Sequence, residues 1–193
     1  MKHEPLKIVA FAGSVRDGAR SSAGLRIAVD QFGHMDGVDV VVVDLRDISL
    51  PMPGRSDDDT TQTFRDLVES ADGVFLATPE YHGSFSSVTK LAIDNLGFPS
   101  VLRGKPVALL GVAAGRIGAI KALEHLRSVC SHLGALVLPG PISVANAGAI
   151  FDDNGNCTDA SIEKAIRGLA DQLVEYVRTF TVGKCSLEES ARA

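Results

Sequence analysis

Three short stretches of this chain combine residue types suited to anions and flat heterocycles. Residues 13–28 read GSVRDGARSSAGLRIA. Gly13 permits a tight turn, Ser14, Ser21 and Ser22 bring hydroxyl donors, and Arg16 offers a guanidinium suited to a phosphate. Just ahead of a helix, such a loop adds free backbone N–H groups and the positive end of the helix dipole. A plainer reading is that Ser21 or Ser22 caps that helix. The loop has neither the GxxxxGK[ST] of nucleoside-triphosphate binders nor the GxGxxG of dinucleotide folds.

The second stretch, residues 77–96, reads ATPEYHGSFSSVTKLAIDNL. Pro79, Glu80, Tyr81, His82 and Gly83 stand where a strand turns into a helix. Backbone amides there can meet the polar edge of a ring while the side chains meet its face. Pro79 pushes Thr78 out of helical backbone and is expected to end the strand. Ser86 or Ser87 then starts the next helix. Taken singly, His82 reads as a surface histidine, Tyr81 as partial core and Glu80 as a turn residue. The third stretch, GVAAGRIGAIKALEHLR at residues 111–127, is rich in small residues. Ala113, Ala114, Gly115 and Gly118 let backbone approach a ligand closely, and Arg116 adds a cation that reads equally as pocket or as surface.

Regular elements must hold these stretches. Apolar, β-branched runs at residues 6–12, 38–45, 73–78, 106–112 and 135–139 predict five strands buried on both faces. Between them lie amphipathic segments. The first carries Leu25, Ala28, Val29 and Phe32 at i, i+3, i+4 and i+7; the others cover residues 61–70, 87–96, 117–133 and 159–180. This alternation predicts a parallel sheet with helices on both sides. Ligands of such sheets sit beyond the carboxyl ends of the strands, where strand order reverses. The loops after strands one, three and four are the three stretches above.

Bulk properties agree. The chain has 193 residues, 45% of them hydrophobic and 22% charged, with a formal net charge of -5. That is the size of one domain, expected over residues 1–180, with an aperiodic tail at 181–193. The acidic balance argues against a nucleic-acid surface. No run is long and apolar enough for a signal peptide or membrane span. Cys130, Cys157 and Cys185 form neither metal spacing nor a disulfide framework, which points to a reducing cytoplasm. The acidic run SDDDT at residues 56–60 reads as a loop and helix cap.

Taken in order, GSVR…SS, TPEYHGSFSSVTKLAIDNL and GVAAGRIGAIKALEHLRSV resemble the NADPH-dependent FMN reductases, a flavodoxin-like family that includes azo-, quinone and chromate reductases. The resemblance spans about residues 6–139. It implies a flavodoxin-like α/β fold, a doubly wound five-stranded parallel sheet in the order 2-1-3-4-5. It also implies FMN as cofactor and NADPH or NADH as electron donor. Ser14, Arg16 and one or both of Ser21 and Ser22 would hold the FMN phosphate. Pro79, Glu80, Tyr81, His82 and Gly83 would meet the isoalloxazine, with Ala114 and Gly115 opposite. The implied activity is hydride transfer from NAD(P)H to flavin N5, then to a small quinone, azo or flavin acceptor, in a ping-pong scheme without a catalytic side chain or metal. A flavodoxin-type electron carrier and a flavin supplier to a monooxygenase are the alternatives. The family also implies a homodimer or homotetramer built partly on the helix after PEYHGS, where Leu91 and Asn95 depart from the usual residues.

Overall fold

The computed structural model describes residues 4–180, so the expected tail lies outside the described residues. Strand β1, Leu6–Ala12, leads into helix α1, Arg20–Gly33. Strand β2, Val38–Asp44, helix α2, Asp59–Glu69, and strand β3, Gly73–Tyr81, follow. A two-residue strand β4, Ser84–Phe85, precedes helix α3, Ser87–Asp94. Strand β5, Pro106–Val112, and helix α4, Ile120–His132, come next. The chain closes with two short strands, β6 at Leu136–Val137 and β7 at Ile142–Val144, a turn of helix α5, Ala147–Ile150, and the long α6, Ala160–Phe180.

The sheet runs β2-β1-β3-β5-β6, with β7 also beside β5 and β4 folded back on β3. Counted over the five expected strands, this is the 2-1-3-4-5 order. All seven residues of β5 are buried, as a central strand with covered faces requires. One face packs Phe75 and Leu110 against Leu25, Ala28 and Phe32 of α1 and Ile166, Leu169 and Leu173 of α6. The other packs Val9, Leu76 and Leu109 against α2, α3 and α4 through Phe64, Ile93 and Leu126. Gly111 brings the start of α4 down onto β5, since a Cβ there would lie 2.7 Å from that of Ala119 and 2.8 Å from Leu123 Cγ.

Four expectations are corrected. Pro79 does not end the third strand, which runs on to Tyr81 with Pro79 paired to Val112. The Ala77 carbonyl already accepts from Gly13 N just past the end of β1. Pro79 therefore turns its nitrogen toward a side where no strand remains, and its missing N–H removes no ladder bond. The chain then doubles back through His82 and Gly83, both at positive φ (49° and 76°), into β4. Second, the first helix begins at Arg20, so Ser21 and Ser22 lie inside it and cap nothing; the N-cap is Ala19. Third, α4 begins at Ile120 rather than at residue 117, because Gly118 at φ +79° makes a turn first. Fourth, the fifth strand shortens to Leu136–Val137, and β7 and α5 are additions that no long local pattern announces.

Candidate functional site

The loops after β1, β3 and β5 meet in a cleft of about 440 Å³ at the carboxyl edge of the sheet. The first loop contributes Ser14, Arg16 and residues 17–21, the second Pro79, Glu80 and Tyr81, and the third Val112, Ala113 and Ala114. Ala147 and Gly148 of α5 close the far wall. Ser22, His82, Gly83 and Gly115 are not in this lining. Ser22 sits about 100° around α1 from Ser21, His82 and Gly83 form the hairpin turn, and Gly115 follows Ala114 into the exposed loop. The α5 residues are the part of the lining that the sequence motifs do not include. The small-residue run ANAGAI at residues 145–150 is the one local signal that marks α5.

Buried hydroxyls join the first loop to the second. Ser86 Oγ donates to the Gly13 carbonyl at 2.6 Å and contacts Thr89 Oγ1 at 2.8 Å. Thr78 Oγ1 accepts from Ser86 N at 3.2 Å and from Thr89 Oγ1 at 3.3 Å. All three side chains are buried, where satisfied polar networks hold a single geometry. The first loop is braced elsewhere too. Arg46, just beyond β2, grips Asp44 and reaches Asp17 at 3.2 Å. Its hydrogen bond holds the Asp44 carboxyl below the usual carboxylate range. Arg20 donates to the Asp152 carbonyl and lies 3.5 Å from the Asp153 carboxylate.

The helix starts show where an anion fits. Asp58 accepts from Thr61 N in α2, Ser86 from Thr89 N in α3, and Asp159 from Ile162 N in α6. Glu80 Oε2 accepts from Ala122 N in α4 at 3.0 Å. The expected ring-facing carboxylate is thus committed to a helix. Only α1 among these helices opens without a side-chain acceptor over its first amides, and its first turn lies in the cleft. Ser21 there is 2% exposed, yet its Oγ has no hydrogen-bond partner. A buried hydroxyl left so is costly and calls for an acceptor. Ser14, also buried, has its Oγ 3.4 Å from the Tyr81 hydroxyl, while the Arg16 side chain is exposed. Cys130 takes no part: burial pushes its thiol up to about 12, far from a reactive thiolate. Among the described residues no cluster of side chains could hold a metal ion.

A doubly wound sheet with an unsealed helix start in a cleft at its switch point defines a flavodoxin-like nucleotide-cofactor protein. The comparisons with known proteins agree. The family model described as NADPH-dependent FMN reductase matches residues 6–149. An NAD(P)H-dependent FMN reductase of Pseudomonas aeruginosa is 29% identical over 186 residues, 91% of this chain and 97% of that protein. An FMN-dependent NADPH-azoreductase of Staphylococcus aureus is 29% identical over 184 residues, covering 89% and 95%. Among solved structures, the flavoenzyme NAD(P)H:(acceptor) oxidoreductase of Paracoccus denitrificans superposes with a TM-score of 0.76 at 22% identity, covering 90% of this chain and 98% of that one. The chain belongs to the NADPH-dependent FMN reductase family.

The cleft suits such a cofactor. A phosphate needs several donors at one end, which the α1 amides and the orphaned Ser21 hydroxyl supply. A flat ring needs close backbone approach at the other, which Pro79 and Ala114 allow.

Proposed function

We propose that this protein is an FMN-dependent NAD(P)H oxidoreductase serving small, flat, electron-poor acceptors of quinone, azo or flavin type. The observation that carries the reading is the buried, unpartnered Ser21 hydroxyl at the open start of α1, inside the cleft. Bound FMN would supply the redox chemistry, taking a hydride from the nicotinamide and passing electrons to the acceptor.

The chain's own residues bind and orient. Ser14, Arg16 and Ser21, with the first amides of α1, hold the phosphate. Pro79, Tyr81 and Ala114 form the walls for the ring, and the Tyr81–Ser14 contact joins ring wall to phosphate loop. Within the lining the carboxylates are Asp17 and Glu80; one is exposed toward Arg46 and the other caps α4. Neither stands as a general acid or base. Anaerobic mixing of FMN-loaded protein with NADPH, and separately with NADH, tests the reading. The flavin absorbance is expected to bleach and to return on adding a quinone, with parallel steady-state lines. Bound flavin that neither donor bleaches would make the protein an electron carrier instead.

The working unit is proposed to be a homodimer or homotetramer of single-domain chains, residues 1–180, in the cytoplasm. Phe98, beyond α3, is 98% exposed. It lines a hollow of about 620 Å³ together with Ile93 of α3, Val129 of α4 and Leu133 just past the end of α4. A bare aromatic in a hollow that mixes apolar walls with Arg65, Lys90 and Asp94 suits a self-complementary two-fold contact, apolar at its centre and polar at its edge. Phe98→Ser is expected to shift the protein toward monomer in light scattering; an unchanged mass would move the contact elsewhere. Among the described residues no helix is long and apolar enough to cross a membrane.

A further inference from the structure

Helix α4 starts without a cap of its own. The preceding residues, AAGRIGA at 113–119, carry no short oxygen-bearing side chain, and the N-cap residue Ala119 makes no side-chain bond. The orphaned amides of a helix start still need acceptors. Two arrive from other parts of the chain. Ser143 Oγ on β7 accepts from Ala119 N at 2.9 Å, and Glu80 Oε2 on β3 accepts from Ala122 N at 3.0 Å. The carboxylate also suits the positive end of the helix dipole.

These two caps differ in what they connect. Ser143 is not in the cleft lining, whereas Glu80 sits between the two loops that form opposite walls. Its backbone is paired with Phe85 in the β3–β4 hairpin, so the hydrogen bond of its carboxylate ties that turn to α4. That hairpin has only two paired positions, too few to be stable alone. The hairpin's other side-chain hydrogen bond to α4, between His125 Nδ1 and Ser84 Oγ at 3.2 Å, is exposed to solvent, while Phe85 adds apolar packing against Ala119 and Ala122. Glu80 is half-buried, where the bond is less weakened by water.

We infer that Glu80 is a positioning residue: its carboxylate closes the N-terminus of α4 and so sets the spacing between the turn of residues 79–83 and the loop of residues 113–119. The ring walls of the cleft are held apart by this bridge, 42 residues long in sequence, and not by contact with the cofactor. The inference rests on the flavin reading only for the second of its two readouts.

The first readout is amide hydrogen exchange in cofactor-free protein, and the second is the Kd for FMN from fluorescence titration. Glu80→Ala is expected to speed exchange in residues 79–85 as well as 119–122 and to raise the FMN Kd about tenfold. Glu80→Gln keeps an oxygen for the Ala122 amide and is expected to leave both readouts within about twofold of the parent. Ser143→Ala removes the other cap; it should loosen α4 while residues 79–85 and the Kd stay put. Glu80→Asp, one methylene too short to reach, reproduces the Glu80→Ala exchange pattern and serves should the alanine variant not fold. Exchange confined to α4 in Glu80→Ala and Glu80→Asp would overturn the bridge. So would Ser143→Ala weakening FMN equally. Glu80→Gln behaving like Glu80→Ala in both segments would support the bridge and assign it to the carboxylate's charge. A parent protein that ignores FMN defeats the flavin reading alone, because the exchange pattern still decides the bridge.

Discussion

Gly13→Ala is expected to destabilise the protein by about 3 kcal/mol, at the upper end for adding a methyl to a filled site. A Cβ at this position would stand 2.5 Å from the Ala77 carbonyl oxygen and 3.3 Å from Thr78 Cα. Neither neighbour can retreat. Ala77 pairs with Ala12 in the middle of the sheet, and its carbonyl accepts from Gly13 N itself. Thr89 Oγ1, also in the way, is held by Ser86 and Thr78. The first loop would have to lift off the second, carrying Ser14 away from Tyr81. Urea denaturation should show the midpoint falling with little change in slope, and FMN binding should weaken in parallel. Gly168→Ala is the matched control. It lies inside α6 with open space around the added methyl, so helix propensity predicts a gain of up to about 1 kcal/mol. A Gly13→Ala variant as stable as the parent would show that the loops slide freely and that the hydroxyl network does not hold them.

Ser21→Ala should move stability and affinity in opposite directions. In the cofactor-free protein the Ser21 hydroxyl is buried without a partner, so deleting it removes a desolvation cost. Alanine is also the better helix residue, and together these predict a gain of about 0.5–1 kcal/mol without FMN. With FMN present, the variant loses a hydrogen bond to a charged group, worth about 1.5–3 kcal/mol, or a 10- to 100-fold rise in Kd. Thermal melts with and without FMN, plus a fluorescence titration, read both signs. An unchanged Kd would take Ser21 out of the phosphate site. Ser22→Ala, half-buried and outside the lining, should leave the Kd unaltered.

The alternation of apolar runs and amphipathic segments is enough to set the layered sheet and to name the loops that line the cleft. β1 and β5 begin and end where their apolar runs do, because a strand covered on both faces is written as an unbroken local run. Of the motif residues after β1, β3 and β5, Ser14, Arg16, Ser21, Pro79, Glu80, Tyr81 and Ala114 line the cleft, since strand ends in such sheets converge by topology. The remaining features depend on partners distant in the chain. Pro79 stays in its strand because β1 stops short beside it, and no local rule contains that neighbour. Glu80 turns from ring to helix because Ala122, far along the sequence, has an amide without an acceptor. Ser21 is singled out from Ser22 by the rotation of α1 and by burial under the rest of the cleft. A motif records which groups are available at a turn; which of them face a ligand and which hold the turn in place is settled by the hydrogen bonds that distant backbone still lacks.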